Sequence, residues 1–260
     1  MLLSSLFPPT ERWYRLILVL GLVFTPLLGI AEPLRVALSP DYPPLVFKEE
    51  GKLVGIEVAN AHEVARILGR DLQFVEMPMQ GFIPALEAGR VDVVMSGFSI
   101  TPERRTQVAF TQAFMEIGQM AIIRVDDAAR YAQPRALYRE GIRIGVEPGT
   151  TGEAYVREHF DQATIQHYAN AAQAFAALRA GATDVYVHDA PTSWGLATSK
   201  DDQDLLSLYR PLTSESMAWA VRRDNVVLLG QLNAVLDQLQ ANGRLRAIQN
   251  YWIPIRVQVR

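Results

Sequence analysis

No cysteine occurs in the 260 residues. Disulfides, thiol nucleophiles and cysteine-ligated metals are therefore excluded, as is lipid attachment at a cysteine after the N-terminal apolar run. Histidine is scarce as well: His62, His159, His167 and His188 stand at no metal-like spacing, so no metal is expected. Charge of either sign is not in large excess, the formal net value being −3. A basic surface for nucleic acid is thus missing, and no nucleic-acid partner is expected. No Ser/His/Asp order and no close carboxylate pair marks a catalytic centre, so neither a catalytic residue nor a cofactor is assigned.

What is present begins with an N-terminal targeting pattern. Arg12 and Arg15 precede the apolar run Leu16 to Leu28, and Gly29-Ile30-Ala31 has the small-x-small form of a cleavage site. The run is shorter than the roughly 20 residues of a spanning helix and is interrupted by Pro26, which favours export and cleavage over a retained anchor. Residues 1–31 are read as a signal peptide, and the mature chain as periplasmic. Losing two arginines and one glutamate with them moves the net charge to −4.

The stretch Ala85 to Arg105 organises the rest. Ala85 to Ala88 are helix formers stopped by Gly89, Val91 to Met95 is a β-branched apolar run, and Thr101-Pro102-Glu103 is an N-cap followed by proline at the first helical position. Between strand and helix lie Ser96, Gly97, Phe98 and Ser99, a turn of little bulk. Arg104 and Arg105 then fall in a first helical turn, where the helix dipole disfavours a cation, so an anion is expected there. The plain alternative is an arginine in solvent or paired with Glu103.

A second copy strengthens the anion reading. Ala177 to Asp189 repeats Ala85 to Gly97 at a constant offset of 92 positions, with Ala, Leu, Ala, Gly, Asp and Val recurring in register. Two α/β units of one design point to two lobes whose strand ends face a common crevice. One end offers Ser96, Gly97, Ser99 and Arg104, the other Asp189. Asp92 and Asp184, twins in the repeat, read as structural, whereas Asp189 could either cap the helix beginning at Pro191 or face a ligand.

The remaining elements follow from periodicity and punctuation. Strands are predicted at 34–38, 45–47, 53–54, 72–75, 108–111, 118–125, 142–146, 164–168 and 216–222. Helices are predicted at 56–68, 153–159, 171–180, 226–242 and 245–252. Glu147-Pro148-Gly149-Thr150-Thr151-Gly152 is a turn before a helix and a second cradle of backbone N–H groups.

These residues carry a resemblance. Tyr42-Pro43-Pro44, Gly55-Ile56-Glu57-Val58, Pro84-Ala85-Leu86, Gly89-x-x-Asp92, Ser96 to Arg104, Gly149-Thr150-Thr151, Asp184 with Asp189, and the closing Asn233, Gly243, Ile248 and Trp252 make the mature chain similar to the extracytoplasmic solute-binding proteins of polar amino-acid ABC transporters. That resemblance implies the two-lobed α/β type II periplasmic binding fold, with lobe one at 32–121 and 217–260, lobe two at 122–216, and hinge crossings near 117–123 and 217–221. It also implies that Gly97 N–H, the Ser99 hydroxyl and Arg104 grip the ligand's α-carboxylate, with Thr151 assisting from across the cleft. Asp189 would take the α-ammonium and Tyr42 would lie over the side chain.

The chain departs from the pattern at Phe110-Thr111-Gln112-Ala113-Phe114 and at Met79, a wall position often aromatic. The expected ligand set is Tyr42, Met79, Ser96, Gly97, Phe98, Ser99, Arg104, Glu147, Thr150, Thr151, His188 and Asp189. A polar or basic amino acid is the expected ligand: Glu147 and Glu116 could accept a cationic side chain, as of arginine, lysine or ornithine, while His188 with Met79 would suit glutamine or histidine, and Glu147 is otherwise uncommitted. The expected partner is a membrane permease, the expected state a monomer. Two other readings stay open on the same fold: a cyclohexadienyl or arogenate dehydratase-like enzyme, which needs a general acid shortly after Asp189 where this chain has Ala190-Pro191-Thr192-Ser193, and the sensor domain of a signalling receptor.

Overall fold

Two five-stranded sheets repeat one plan in a computed structural model that describes residues 32–253; the signal-peptide reading falls outside the described residues. In the first sheet Leu34–Leu38 lies between Leu72–Glu76 and Val93–Val94, both parallel to it, and Ala220–Arg222 and then Val108–Phe110 continue the far edge. In the second, Arg143–Val146 lies between Thr164–His167 and Val185–Asp189, again parallel, followed by Gln119–Arg124 and Leu205–Ser207. Each sheet thus has three parallel strands and an antiparallel strand next to them. Short buried runs such as Val93–Val94, without polar alternation, are what a sheet covered on both faces requires.

The sequence repeat is a structural repeat with a shared anchor. Asp92 accepts from Arg35 N at 2.8 Å and from its Nη2 at 2.7 Å, while Asp184 accepts from Arg143 N at 3.0 Å and from its Nη2 at 2.8 Å. Burial opposes the charge of both aspartates, and the arginine bonds outweigh it, holding both carboxyls below the usual range. Each lobe therefore fastens the helix–strand turn of its repeat to the middle one of its three parallel strands.

Two crossings join the sheets. Met115–Ile117 pairs antiparallel with Glu215–Met217, and this two-stranded ribbon belongs to neither large sheet. The expected boundary at 121 falls inside Gln119–Arg124, which pairs with Val185–Asp189 from its first residue, so the change of sheet occurs at Gly118. Glycine is required there, since a Cβ would stand 2.2 Å from the Thr213 carbonyl oxygen. The single strand expected over 216–222 is two, Glu215–Met217 and Ala220–Arg222. Trp219, fully buried between them, makes the turn from ribbon to sheet.

Most helix boundaries come from local chemistry. Thr101 accepts from Arg104 N at 3.2 Å, and Asn170 from Gln173 N at 3.1 Å, each capping the helix it precedes. Val226–Ala241 buries Leu228, Leu232, Val235, Leu236 and Leu239, one stripe at helical spacing laid on the first lobe's core.

Candidate functional site

The carboxyl ends of the parallel strands of both sheets meet around a cavity of about 320 Å³. Ser39 follows Leu34–Leu38, Ser96 to Ser99 follow Val93–Val94, Glu147 to Thr151 follow Arg143–Val146, and Asp189 ends Val185–Asp189; all four segments reach the cavity wall. Open α/β sheets place ligands at strand ends because the loops there are free to vary and helix N-termini converge on them. Among the described residues no group of three or more His, Asp or Glu is arranged to hold a metal ion.

Arg104 is the cation of this cavity. Its Nη1 donates to the Ser99 carbonyl at 2.8 Å, its Nη2 reaches the Gly149 carbonyl across the cleft at 3.1 Å and lies 3.8 Å from Met79 Sδ, and its guanidinium carbon sits 4.0 Å above the Phe98 ring centre. Burial pulls its pKa down from the usual arginine value, and Asp189 and Glu215 pull it back up. Arg105, one position on, is exposed. Phe98 does not face the ligand cavity as expected: it is buried against Phe82 and Phe110, and its role is to carry the Arg104 guanidinium.

Gly97 also departs from expectation. Its N–H, expected to hold an anion, donates to Glu57 Oε1 at 3.0 Å, because the fully buried Glu57 on the helix Ile56–Leu68 needs donors. The glycine is nevertheless required, with φ at 63° and a Cβ that would stand 2.5 Å from Leu45 Cδ1 and 2.6 Å from Tyr42 Cε1. Ser96 Oγ accepts from Ser39 N at 3.0 Å and ties two strand ends together, while Ser99 is buried with its carbonyl on Arg104.

The opposite wall is acidic. Asp189 stands at the N-cap position of Ala190–Thr198 but makes no capping bond; its oxygens accept instead from Tyr42 Oη and Gln119 Nε2, which turns the carboxylate into the cleft. Burial holds its carboxyl above the ordinary aspartate range. His188 packs edge-on against Tyr42 at 5.0 Å between ring centres, with Nδ1 2.9 Å from Thr192 Oγ1 and Nε2 3.4 Å from Glu147 Oε1. Burial works against a charge on His188, and the Glu147 carboxylate outweighs it, raising the imidazole pKa. Glu147 is not uncommitted, since Oε1 also accepts from Tyr186 Oη at 2.7 Å. Thr150 caps the helix Thr151–His159 through Glu153 N at 3.1 Å, and Thr151 Oγ1 accepts from Gln119 Nε2 at 3.0 Å; both threonines line the cavity. Glu116, the other acid expected for a cationic side chain, lies in the two-stranded ribbon bonded to Ser216 Oγ at 2.8 Å, and is not among the lining residues.

Sequence reasoning missed Gln119 and Glu215. Gln119 Nε2 lies near Thr151, Asp189 and Glu215 Oε1, the last at 3.1 Å, while its own Oε1 is buried without a partner. An amide nitrogen has two hydrogens and cannot serve three acceptors at once. The one visible signal was a glutamine heading an otherwise apolar strand. On the lobe-one side Gln80 Nε2 donates to the Pro148 carbonyl at 2.7 Å, a second bond across the cleft.

This geometry meets a clear match among known proteins: residues 34–255 fit the family described as bacterial extracellular solute-binding proteins, family 3. The chain belongs to that family. It is 29% identical over 238 residues to ABC transporter arginine-binding protein 1 of Escherichia coli (strain K12), covering 86% of this chain and 92% of that one. The crystal structure of an ancestral amino acid-binding protein, AncCDT-1, described as a precursor of cyclohexadienyl dehydratase, superposes with a TM-score of 0.80 at 31% identity, over 85% of this chain and 95% of that one. A binding component of an ABC transporter from Wolinella succinogenes DSM 1740, complexed with lysine, gives a TM-score of 0.81 at 26% identity, over 85% and 95% of the two chains.

Replacing Asp189 should separate fold from binding. A buried acid whose folded pKa is raised contributes stability below its unfolded pKa, and that contribution is lost as pH rises through the folded value. At neutral pH Asp189→Asn removes that penalty, so the variant should melt no lower than wild type. Its affinity for a ligand bearing an ammonium should fall by roughly 30-fold or more. Wild-type affinity should itself weaken as pH falls toward the raised Asp189 pKa. Thermal melts and calorimetric titrations across pH check both signs.

Proposed function

We propose that this protein captures one polar or basic amino acid between its lobes and delivers it to the membrane permease of an ABC transporter. The observation that carries this reading is a guanidinium, Arg104, and a carboxylate, Asp189, lining one cavity from different lobes. Arg104 with Thr151 takes the α-carboxylate, Asp189 takes the α-ammonium, and Tyr42, Met79, Glu147, Thr150 and His188 surround the side chain. The lobes comprise residues 32–118 with 218–253, and 119–217, hinged at Gly118 and beside Trp219. Because the ligand touches both lobes, it favours the closed arrangement by its differential affinity, and the closed form docks on the permease. The chain works as a periplasmic monomer after removal of residues 1–31. The names of the relatives, for arginine binding and for a lysine complex, support a polar or basic ligand.

Binding rather than turnover fits the residues after Asp189. Ala190-Pro191-Thr192-Ser193 hold no carboxylate, Thr192 is bonded to His188, and Glu147 is engaged by Tyr186 and His188. A thermal-shift screen over the twenty amino acids tests the proposal. A ligand at 100 times its dissociation constant stabilises by about 2.7 kcal/mol, or about 5–10 °C for a domain of this size. One or a few polar or basic amino acids should produce that shift. No shift with any of them, or turnover of prephenate or arogenate, overturns it.

A further inference from the structure

We propose that Glu147 reads the ligand's side chain and selects a cationic one, that of arginine, lysine or ornithine, over a neutral amide of the same shape. The inference rests on the amino-acid reading above and concerns only the far end of that ligand. Arg143–Val146 runs parallel to Val185–Asp189 with Ile144 opposite Val185 and Gly145 opposite Tyr186. Continued by two residues, this register sets Glu147 opposite His188 and one residue short of Asp189, about 6 Å between the α-carbons of the two acids. A ligand whose ammonium sits on Asp189 can therefore bring a long side chain back to Glu147.

The Glu147 carboxylate is fixed and half used. Tyr186 Oη and His188 Nε2 both contact Oε1, at 2.7 and 3.4 Å, which leaves Oε2 for the cavity that the residue lines. The charge of the wall points the same way. Asp41, Glu76, Glu147 and Asp189 line the cavity with Arg104, and only Glu76 has a lysine partner, Lys48 at 2.7 Å. A zwitterionic head engages Arg104 and Asp189 and leaves Glu147 without a cation. Closing the lobes over a neutral side chain would desolvate that carboxylate uncompensated, whereas a guanidinium or ammonium pairs with it.

His188 sets where on the pH scale this selection operates. It is faced by Glu147, Tyr186 and Asp189 within its own lobe, by Thr192 from the following helix and by Tyr42 from the other lobe. Once protonated, it neutralises Glu147 in place of the ligand. Preference for a cation is therefore greatest above the His188 titration and shrinks below it.

The test is calorimetric titration with arginine, its neutral urea isostere citrulline, lysine and glutamine, on wild type and on Glu147→Gln, at alkaline and mildly acidic pH. Wild type at alkaline pH should bind arginine at least about tenfold tighter than citrulline, a ratio that needs no variant to fold. Glu147→Gln should weaken arginine about 30-fold while citrulline stays within about threefold. Equal wild-type affinity for arginine and citrulline, or an equal loss of both in the variant, overturns the role of Glu147 and leaves the amino-acid reading standing. Binding of none of the four overturns the role of Glu147, and the amino-acid reading then falls only if the screen over all twenty is also silent.

Discussion

Arg104→Ala is expected to lower amino-acid affinity by about 30-fold to several thousand-fold while the protein still folds. The guanidinium is held in place by three features: the Ser99 carbonyl at 2.8 Å, the Gly149 carbonyl at 3.1 Å and the Phe98 ring at 4.0 Å. It is thus preorganised for a carboxylate, and binding need not order it. Truncation removes the charge and its planar fork together, and leaves the ligand carboxylate in a cleft with no other arginine or lysine among the described lining residues. The fold loses less. The helix Pro102–Gln107 is capped by Thr101 rather than by Arg104, and stacking and carbonyl bonds at a partly exposed site contribute about 1–3 kcal/mol. Arg105→Ala is the internal control: that side chain is exposed and about 100° further round the helix, so its loss should change affinity by no more than about threefold. Titration of both variants with the best ligand from the thermal screen decides the matter. An Arg104→Ala protein that binds like wild type while Arg105→Ala does not would place the anion site on the wrong arginine.

Arg104 was legible because its signal is local. An arginine in a first helical turn after a small-residue turn contradicts the helix dipole, and the repeat at 177–189 supplied a second lobe for it to face. The repeat also gave the parallel strands and the equivalence of Asp92 with Asp184. What could not be read was which donor serves which acceptor. Gly97 N–H looked free for a ligand because nothing near it in sequence claims it, yet its acceptor is 40 positions away on another helix. Phe98 lies between Ser96 and Ser99, yet the positive φ of Gly97 at 63° breaks the extended run before it and the ring packs on Phe82 and Phe110 instead. Gln119 and Glu215 come together only where two crossings meet, a juxtaposition set by topology and not by spacing. Gln112, a departure from the family pattern, finds partners in Asn233 and Asp237, so the altered turn is pinned to the helix Val226–Ala241 instead.

Glu57→Ala is expected to cost about 2–6 kcal/mol of folding stability, a large share of the 5–15 kcal/mol typical of a folded protein. Glu57 is fully buried, yet its oxygens accept from Gly97 N at 3.0 Å and Trp219 Nε1 at 2.9 Å. One side chain therefore joins the first helix, the turn under the cavity and the turn between Glu215–Met217 and Ala220–Arg222. Its place in the first turn of Ile56–Leu68 lets the helix dipole offset part of the desolvation. Removing it strands two buried donors, at about 1–3 kcal/mol each. Glu57→Gln should recover only part of the loss, because an amide keeps one acceptor and must aim its NH₂ at one of two N–H donors. In urea the midpoint should fall with the slope unchanged, since the surface exposed on unfolding is the same. The pH dependence supplies an independent sign. Burial raises the Glu57 pKa, although its hydrogen bonds from Gly97, Trp219 and Asn60 lower it. Its contribution is thus fully present below the unfolded glutamate pKa and declines as pH rises through the folded one. The deficit of the variant relative to wild type should accordingly widen as pH is lowered from neutral. A Glu57→Ala protein that unfolds within about 1 kcal/mol of wild type at every pH would mean that Gly97 and Trp219 find another acceptor, and that the turn under the cavity is held by its backbone alone.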